Sequence, residues 1–173
     1  FQKLFNIFFF FFKTSRLITL LFVLTFINVH FRSTAQELSS DESELYNLVM
    51  QYRKAKGLPT ILLSKSLTFV AQTHAKDLDE NYVIDQKCNL HSWSRNGNWK
   101  PVCYTNDHAQ AKLMWSKPQE LTSYKGNGYE IAFAEDEEYL ANAENALDSW
   151  KLSKEHNAVI LNKKIWKKNW KSI

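Results

Sequence analysis

Cysteine is almost absent from this 173-residue chain, and so, beyond the first 36 residues, is any excess of charge of one sign. Its two cysteines, Cys88 and Cys103, lack the close spacing of a paired metal-ligand motif and stand in a Trp- and Asn-rich stretch, which argues against a two-cysteine metal site. No cysteine lies near residue 36, where a leader would be cut, so a lipid-anchored precursor is not expected. The formal net charge of +4 comes from residues 1–36, which hold Lys3, Lys13, Arg16 and Arg32 and no acid; beyond them 18 basic residues face 18 acidic ones. A neutral domain lacks the broad positive field that drives phosphate binding, which excludes nucleic acid as an expected partner.

A starting methionine is also missing. Residues 1–12, with five consecutive phenylalanines at 8–12, read as a partial or spurious upstream segment. After it, Lys13 and Arg16 flank an apolar, uncharged run from Leu17 to Val29, and Ser33-Thr34-Ala35 supplies the small residues of a cleavage site before Gln36. Residues 1–36 thus read as a signal peptide with upstream sequence, and the protein as secreted or extracytoplasmic. A retained membrane anchor is the alternative, with Lys13 and Arg16 interrupting it. About 137 residues follow, enough for one domain with one buried core. In an oxidising compartment a Cys88–Cys103 disulfide is the economical reading, and two free thiols the other.

The spacing of apolar residues predicts helices. Ser39 and Glu42 form a capping-box pattern, and Leu45, Leu48, Val49 and Tyr52 carry a helix over 41–56, which Gly57-Leu58-Pro59 ends. Leu67, Val70, Ala71, His74 and Leu78 lay one apolar stripe along a second helix over 65–81. His74 falls on that stripe and reads as a packed core histidine in preference to a ligand. From Cys88 to Tyr124 periodicity is lost. A short helix is expected over 107–115 with Asp107 as its cap, and His108 reads as an exposed first-turn histidine. Residues 128–134 alternate Tyr129, Ile131 and Phe133 against Glu130, Ala132 and Ala134, the period-two pattern of a strand. A helix starting at Glu135–Glu138 continues through Leu140, Ala143, Leu147 and Trp150, and Ser153 caps another with His156 at its third position. In the tail, Lys163, Lys164, Lys167, Lys168 and Lys171 surround Trp166 and Trp170. That arrangement can meet an anionic surface, but packed tryptophans beneath solvated lysines is the preferred reading.

Three phrases point to chemistry: Asn89-Leu90-His91-Ser92-Trp93, Gly128-Tyr129-Glu130-Ile131-Ala132 and Ser153-Lys154-Glu155-His156. Two imidazoles and a carboxylate are the groups that coordinate a borderline divalent metal or exchange a proton near neutral pH. His91, Glu130 and His156 are therefore the candidate ligand-binding and metal-binding residues.

In order and spacing the chain resembles the CAP superfamily of cysteine-rich secretory proteins, antigen 5 allergens and pathogenesis-related proteins, in its bacterial SCP-like extracellular form. The resemblance is carried by the helix ending in Gly57-Leu58-Pro59, by Ala71 with His74-Ala75, by Leu90-His91-Ser92, by Gly128-Tyr129-Glu130-Ile131-Ala132, and by Trp150-Lys151-Leu152-Ser153-Lys154-Glu155-His156. It implies an α/β fold, a three-layer α/β/α sandwich with a central antiparallel sheet, here missing its C-terminal strands and therefore C-terminally truncated. It also implies a cleft in which His91, His156 and Glu130 take the places of the family's two histidines and one of its two acids. The second acid has no counterpart, because Lys151 follows Trp150, and Glu155 beside His156 would point elsewhere.

The leading functional reading is a non-catalytic extracellular module that binds lipid, sterol, glycan or protein and requires no cofactor. A divalent-metal site, zinc for example, held by His91, Glu130 and His156 is the second. A hydrolase with Ser92 as nucleophile and His91 or Glu130 as base is the third; adjacent side chains on an extended segment point apart, which weakens it.

Overall fold

The computed structural model describes residues 37–81, 87–135, 141–168 and 173. The expected signal peptide and upstream segment over 1–36, the expected helix start at 136–138 and Leu140 lie outside the described residues, as do Trp170 and Lys171. Among the described residues six α-helices follow in chain order: α1 (Ser40–Ala55), α2 (Lys65–Asn81), α3 (Ala111–Trp115), α4 (Lys117–Leu121), α5 (Ala143–Leu152) and α6 (Lys154–Ile160). A 3-10 helix at Lys164–Lys168 comes after them.

α1 starts and stops where its residues dictate. The Ser39 hydroxyl accepts from the Glu42 N–H at 3.1 Å and the Glu42 carboxylate accepts from the Ser39 N–H at 2.8 Å, so the reciprocal cap forms as expected. At the other end Gly57 takes φ +72°, which lets the Gly57 and Leu58 N–H groups bond back to the Lys54 and Arg53 carbonyls. α1 buries Val49 and Met50 against α5 and α6, where Ala146, Leu147, Trp150, Ile160 and Leu161 complete one core.

Arg53 is buried in that region, and among the described residues no carboxylate pairs with it. Its Nε and Nη2 donate to the Pro59 carbonyl at 3.1 and 3.0 Å, and its Nη1 to the Ile160 carbonyl and the Asn162 side chain. Burial pushes the guanidinium down from its ordinary value. The planar fork thus joins the end of α1 to the end of α6 through acceptors that a single ammonium could not reach together.

A second core gathers Val70 of α2, Trp93, Val102, Tyr104, Ala111 and Met114. The disulfide between Cys88 and Cys103, Cα atoms 5.0 Å apart, holds its loop closed. Within the loop Trp93 and Val102 exchange N–H···O bonds of 2.8 and 3.0 Å, and the Asn89 N–H bonds the Tyr104 carbonyl.

The expected three-layer sandwich is not what forms. Among the described residues there is no sheet, only the isolated Trp93–Val102 bridge, and helices supply the regular structure. Residues 128–134 are extended, as their alternation implies, yet they are no strand, because among the described residues no backbone ladder runs beside them. Side chains pin the segment instead. Trp150 Nε1 donates to the Ala132 carbonyl at 3.2 Å, the Tyr129 ring sits 5.5 Å from Trp115 and 5.1 Å from Trp166, and Ile131 and Phe133 pack on the first core. Period-two alternation reports two-faced burial, and burial against helices satisfies it as well as a neighbouring strand would.

Two smaller expectations are also corrected. The helix predicted over 107–115 starts at Ala111 without a side-chain cap; Asp107 instead accepts from Thr105 and from the Ala109 N–H within a turn. α5 starts at Ala143, where Asn142 caps it by accepting from the Asn145 N–H at 2.9 Å.

Two measurements test these joints. Arg53→Lys removes the fork but keeps a cation, and urea unfolding is expected to show a loss of about 2 kcal/mol as buried carbonyls lose partners. Reduction of the disulfide is expected to cost about 3 kcal/mol in the same assay.

Candidate functional site

The site is built from three segments that meet at one carboxylate. Glu130 sits on the extended segment, where Gly128 comes so close to α4 that a Cβ would lie 2.5 Å from Pro118 Cγ. Only glycine allows that approach, and the Gly128 N–H bonds the Trp115 carbonyl at 2.8 Å. Two residues on, Glu130 Oε2 lies 2.7 Å from His74 Nδ1 and Glu130 Oε1 lies 2.9 Å from His91 Nδ1.

His74 reaches Glu130 from α2, where the helical stripe that carries Val70 turns it inward until it is 2% exposed. Its ring stacks on Trp93 with centroids 4.3 Å apart and planes 5° from parallel. His74 Nε2 lies 2.8 Å from the Ser92 carbonyl oxygen. A carbonyl and a carboxylate can only accept, so both ring nitrogens carry hydrogen and His74 is an imidazolium. Burial pushes its pKa down, but the hydrogen bond and charge of Glu130, the Ser92 carbonyl and the charge of Asp77 together outweigh that and raise it. Asp77, one turn further along α2 and buried, accepts from the Ser94 N–H at 2.8 Å and from the Asn81 amide at 3.0 Å.

Glu130 shows the converse balance. Burial pushes its carboxyl up, and the hydrogen bonds and charges of His74 and His91 override that and bring it down to about 2. His91 donates through Nδ1, which leaves Nε2 as its unprotonated nitrogen while the ring is neutral. Its backbone N–H is fixed by the Asn89 side chain at 3.0 Å and its ring meets Tyr104 edge-on at 5.3 Å.

His156 occupies the third position of α6, and Ser153 Oγ accepts from its N–H at 3.3 Å, as the sequence indicates. Its Nδ1 is buried and has no hydrogen-bond partner among the described residues. Burial, then the charge of His91, lower its pKa, with Glu155 opposing, so the ring is neutral. His156 is therefore close enough to feel His91, but hydrogen-bonds neither His91 nor Glu130.

Of the three residues singled out in the sequence, His91 and Glu130 are in contact and His156 stands beside them. His74 completes the arrangement as the packed, hydrogen-bonded core histidine its stripe implies, and its partner Glu130 is what the sequence does not reveal. The available signal was an acid on the less bulky face of an extended segment together with a histidine on a core stripe, a part-buried carboxylate and a buried imidazole that need each other. Ser92 is buried and its hydroxyl accepts from the Tyr104 N–H at 2.9 Å. Exposed His108, at φ +61°, bonds the Tyr104 hydroxyl through Nδ1 at 2.9 Å, outside the cluster.

As arranged, these residues do not fit a metal ion. Both Glu130 oxygens are taken by imidazole N–H groups, and among the described residues no three His, Cys, Asp or Glu side chains are grouped to hold one.

The fold and site define a mainly helical, disulfide-stapled domain that holds one glutamate between two histidines with a third histidine alongside. Residues 46–166 match the family model CAP, the cysteine-rich secretory protein family, and the chain belongs to that family. CAP proteins are commonly extracellular. No curated protein and no solved structure matches the chain.

The charge pair gives stability a defined pH dependence. Glu130, depressed from 4.5 to about 2, contributes stability that is present above pH 4.5 and lost as pH falls through its folded value. His74, raised above 6.5, contributes stability that is present below pH 6.5 and lost as pH rises through its folded value. Urea unfolding at stepped pH should show a plateau between these limits. Glu130→Gln should lower it by about 3 kcal/mol and remove the acid limb. An unchanged acid limb in the variant would refute the pairing.

Proposed function

We propose that this CAP domain is a secreted, non-catalytic binding module, and that the surface around His91, Glu130 and His156 receives the polar head of an amphiphilic ligand, a lipid or sterol being the closest fit. The observation that carries the reading is the locked carboxylate. With each oxygen accepting from an imidazole and its pKa near 2, Glu130 does not take up a proton at neutral pH and cannot act as a general base. Ser92 is also a poor nucleophile, being buried beside His91 with its oxygen engaged by a backbone N–H.

An apolar cavity of about 310 Å³ supports an amphiphile over a purely polar ligand. α1, the connection to α2, α2 and the extended segment line it through Val49, Ile61, Val70 and Ile131, and Glu130 belongs to its wall. The volume lies at the small end of ligand sites. His91 and His156 are not in that wall, so head and tail would contact different groups.

Trp93 and Trp150 also line the cavity and report on occupancy. A brominated dodecanoic acid is expected to quench their fluorescence saturably, and Ala71→Phe, which narrows the cavity from α2, to weaken quenching at least tenfold. No quenching would exclude the amphiphile. Ester and peptide substrates are expected to give no turnover; hydrolysis that Ser92→Ala or His91→Ala abolishes would overturn the non-catalytic reading.

Zinc binding is the second reading, favoured by the unpartnered Nδ1 of His156. It requires Glu130 to leave one of its histidines. Calorimetry with zinc is expected to show no site, and affinity lost in the His91→Ala, His156→Ala double variant would establish the metal reading instead.

A further inference from the structure

We infer that the end of the domain formed by the C-termini of α1 and α5 and by residues 163–167 is a docking surface for an anionic lipid bilayer. Three contacts bring these pieces together. Arg53, in the last turn of α1, bonds the Ile160 carbonyl and the Asn162 side chain, which fixes the start of the 163–167 turn against α1. Lys56 Nζ lies 5.6 Å from the centre of the Tyr52 ring, and Lys151 Nζ, from the end of α5, lies 5.3 Å from the same ring. The Tyr52 hydroxyl donates to Asn157 of α6, whose amide in turn donates to the Lys151 carbonyl.

Charge gathers at this end although the domain is neutral. Lys54, Lys56 and Lys154 are exposed, and so are Lys163, Lys164 and Lys167. Asp148, paired to Lys151 at 2.9 Å, and exposed Glu155 are the acids in the same helix ends and do not balance them. The apolar side chains make the surface more than a polyanion site. Leu152, next to Lys151, is 87% exposed, and Ile165, between Lys164 and the inward Trp166, is 77% exposed. Trp166 packs edge-on against Tyr129, so the tryptophan is spent on the fold and the aliphatic neighbour faces water. Large aliphatic side chains held out among lysines suit a headgroup layer, where ammonium groups meet lipid phosphates and the aliphatic tips reach the acyl boundary.

The test is partitioning of the full chain onto vesicles of phosphatidylcholine alone and of phosphatidylcholine with phosphatidylglycerol. The quantity read is the change in the ratio between the two on substitution, since insertion of the apolar 17–29 stretch with its flanking Lys3, Lys13, Arg16 and Arg32 adds the same anionic preference to every variant. Each lysine near an anionic surface is worth about a fivefold gain, so Lys163→Glu with Lys164→Glu and Lys167→Glu should reduce the ratio at least about 100-fold. Leu152→Ser with Ile165→Ser keeps every charge and should reduce binding to anionic vesicles about tenfold. All five side chains are exposed, so the fold should survive both changes. In 1 M salt, where the Debye length is about 3 Å, the anionic preference should vanish. A ratio that the lysine changes leave alone overturns the proposal. So does binding to anionic vesicles that the Leu152, Ile165 change leaves untouched and that soluble polyphosphate competes fully, since that outcome assigns the face to polyanions.

Discussion

One carboxylate shared by two imidazoles sets the geometry on which the site depends. Glu130 belongs to an extended segment with no ladder beside it, and it ties that segment to α2 through His74 and to the disulfide loop through His91. Each partner is in turn committed. His74 is stacked on Trp93 and donates to the Ser92 carbonyl, while the Tyr104 N–H donates to the Ser92 hydroxyl. A buried charge pair costs desolvation that must be offset by close geometry and satisfied remaining valences, and here both are supplied. Removing any one member leaves a charge or donor stranded in the interior.

A second constraint acts at both cores. Arg53 carries a buried cation with backbone carbonyls as its acceptors, and Lys117, also buried, donates to the Lys100 carbonyl and the Glu120 carboxylate while lying 5.2 Å from the Trp93 ring centre. These cations sit where loops of irregular backbone would otherwise leave carbonyls unbonded. Helices satisfy their own main chain; the connections do not, and long basic side chains reach in to complete them.

Local physics was legible in the sequence and long-range pairing was not. The Ser39–Glu42 cap, the end at Gly57, the Ser153 cap and the position of His156 follow from a few adjacent residues, and all stand as expected. The disulfide was legible because two cysteines in one loop have one pairing. The sheet was inferred from resemblance and from alternation over 128–134, and alternation cannot say whether a strand or a helix covers each face. α4 was hidden because apolar periodicity is lost from Cys88 to Tyr124; its Pro118 sits in the first helical turn, where proline is tolerated. His74 was hidden by its own placement, since a histidine on an apolar stripe looks like packing until the acid that faces it is known.

That acid also explains how the site departs from the family pattern the sequence resembles. The second carboxylate has no counterpart at the Trp150 motif, and a histidine cation from α2 stands against the first. An acid pair would leave negative charge to draw in a metal ion. An imidazolium against Glu130 cancels it, and beside that pair the buried Nδ1 of His156 has no hydrogen-bond partner among the described residues. A site with its charge balanced internally offers hydrogen bonds at low desolvation cost, and this favours the polar head of an amphiphile over a bare ion.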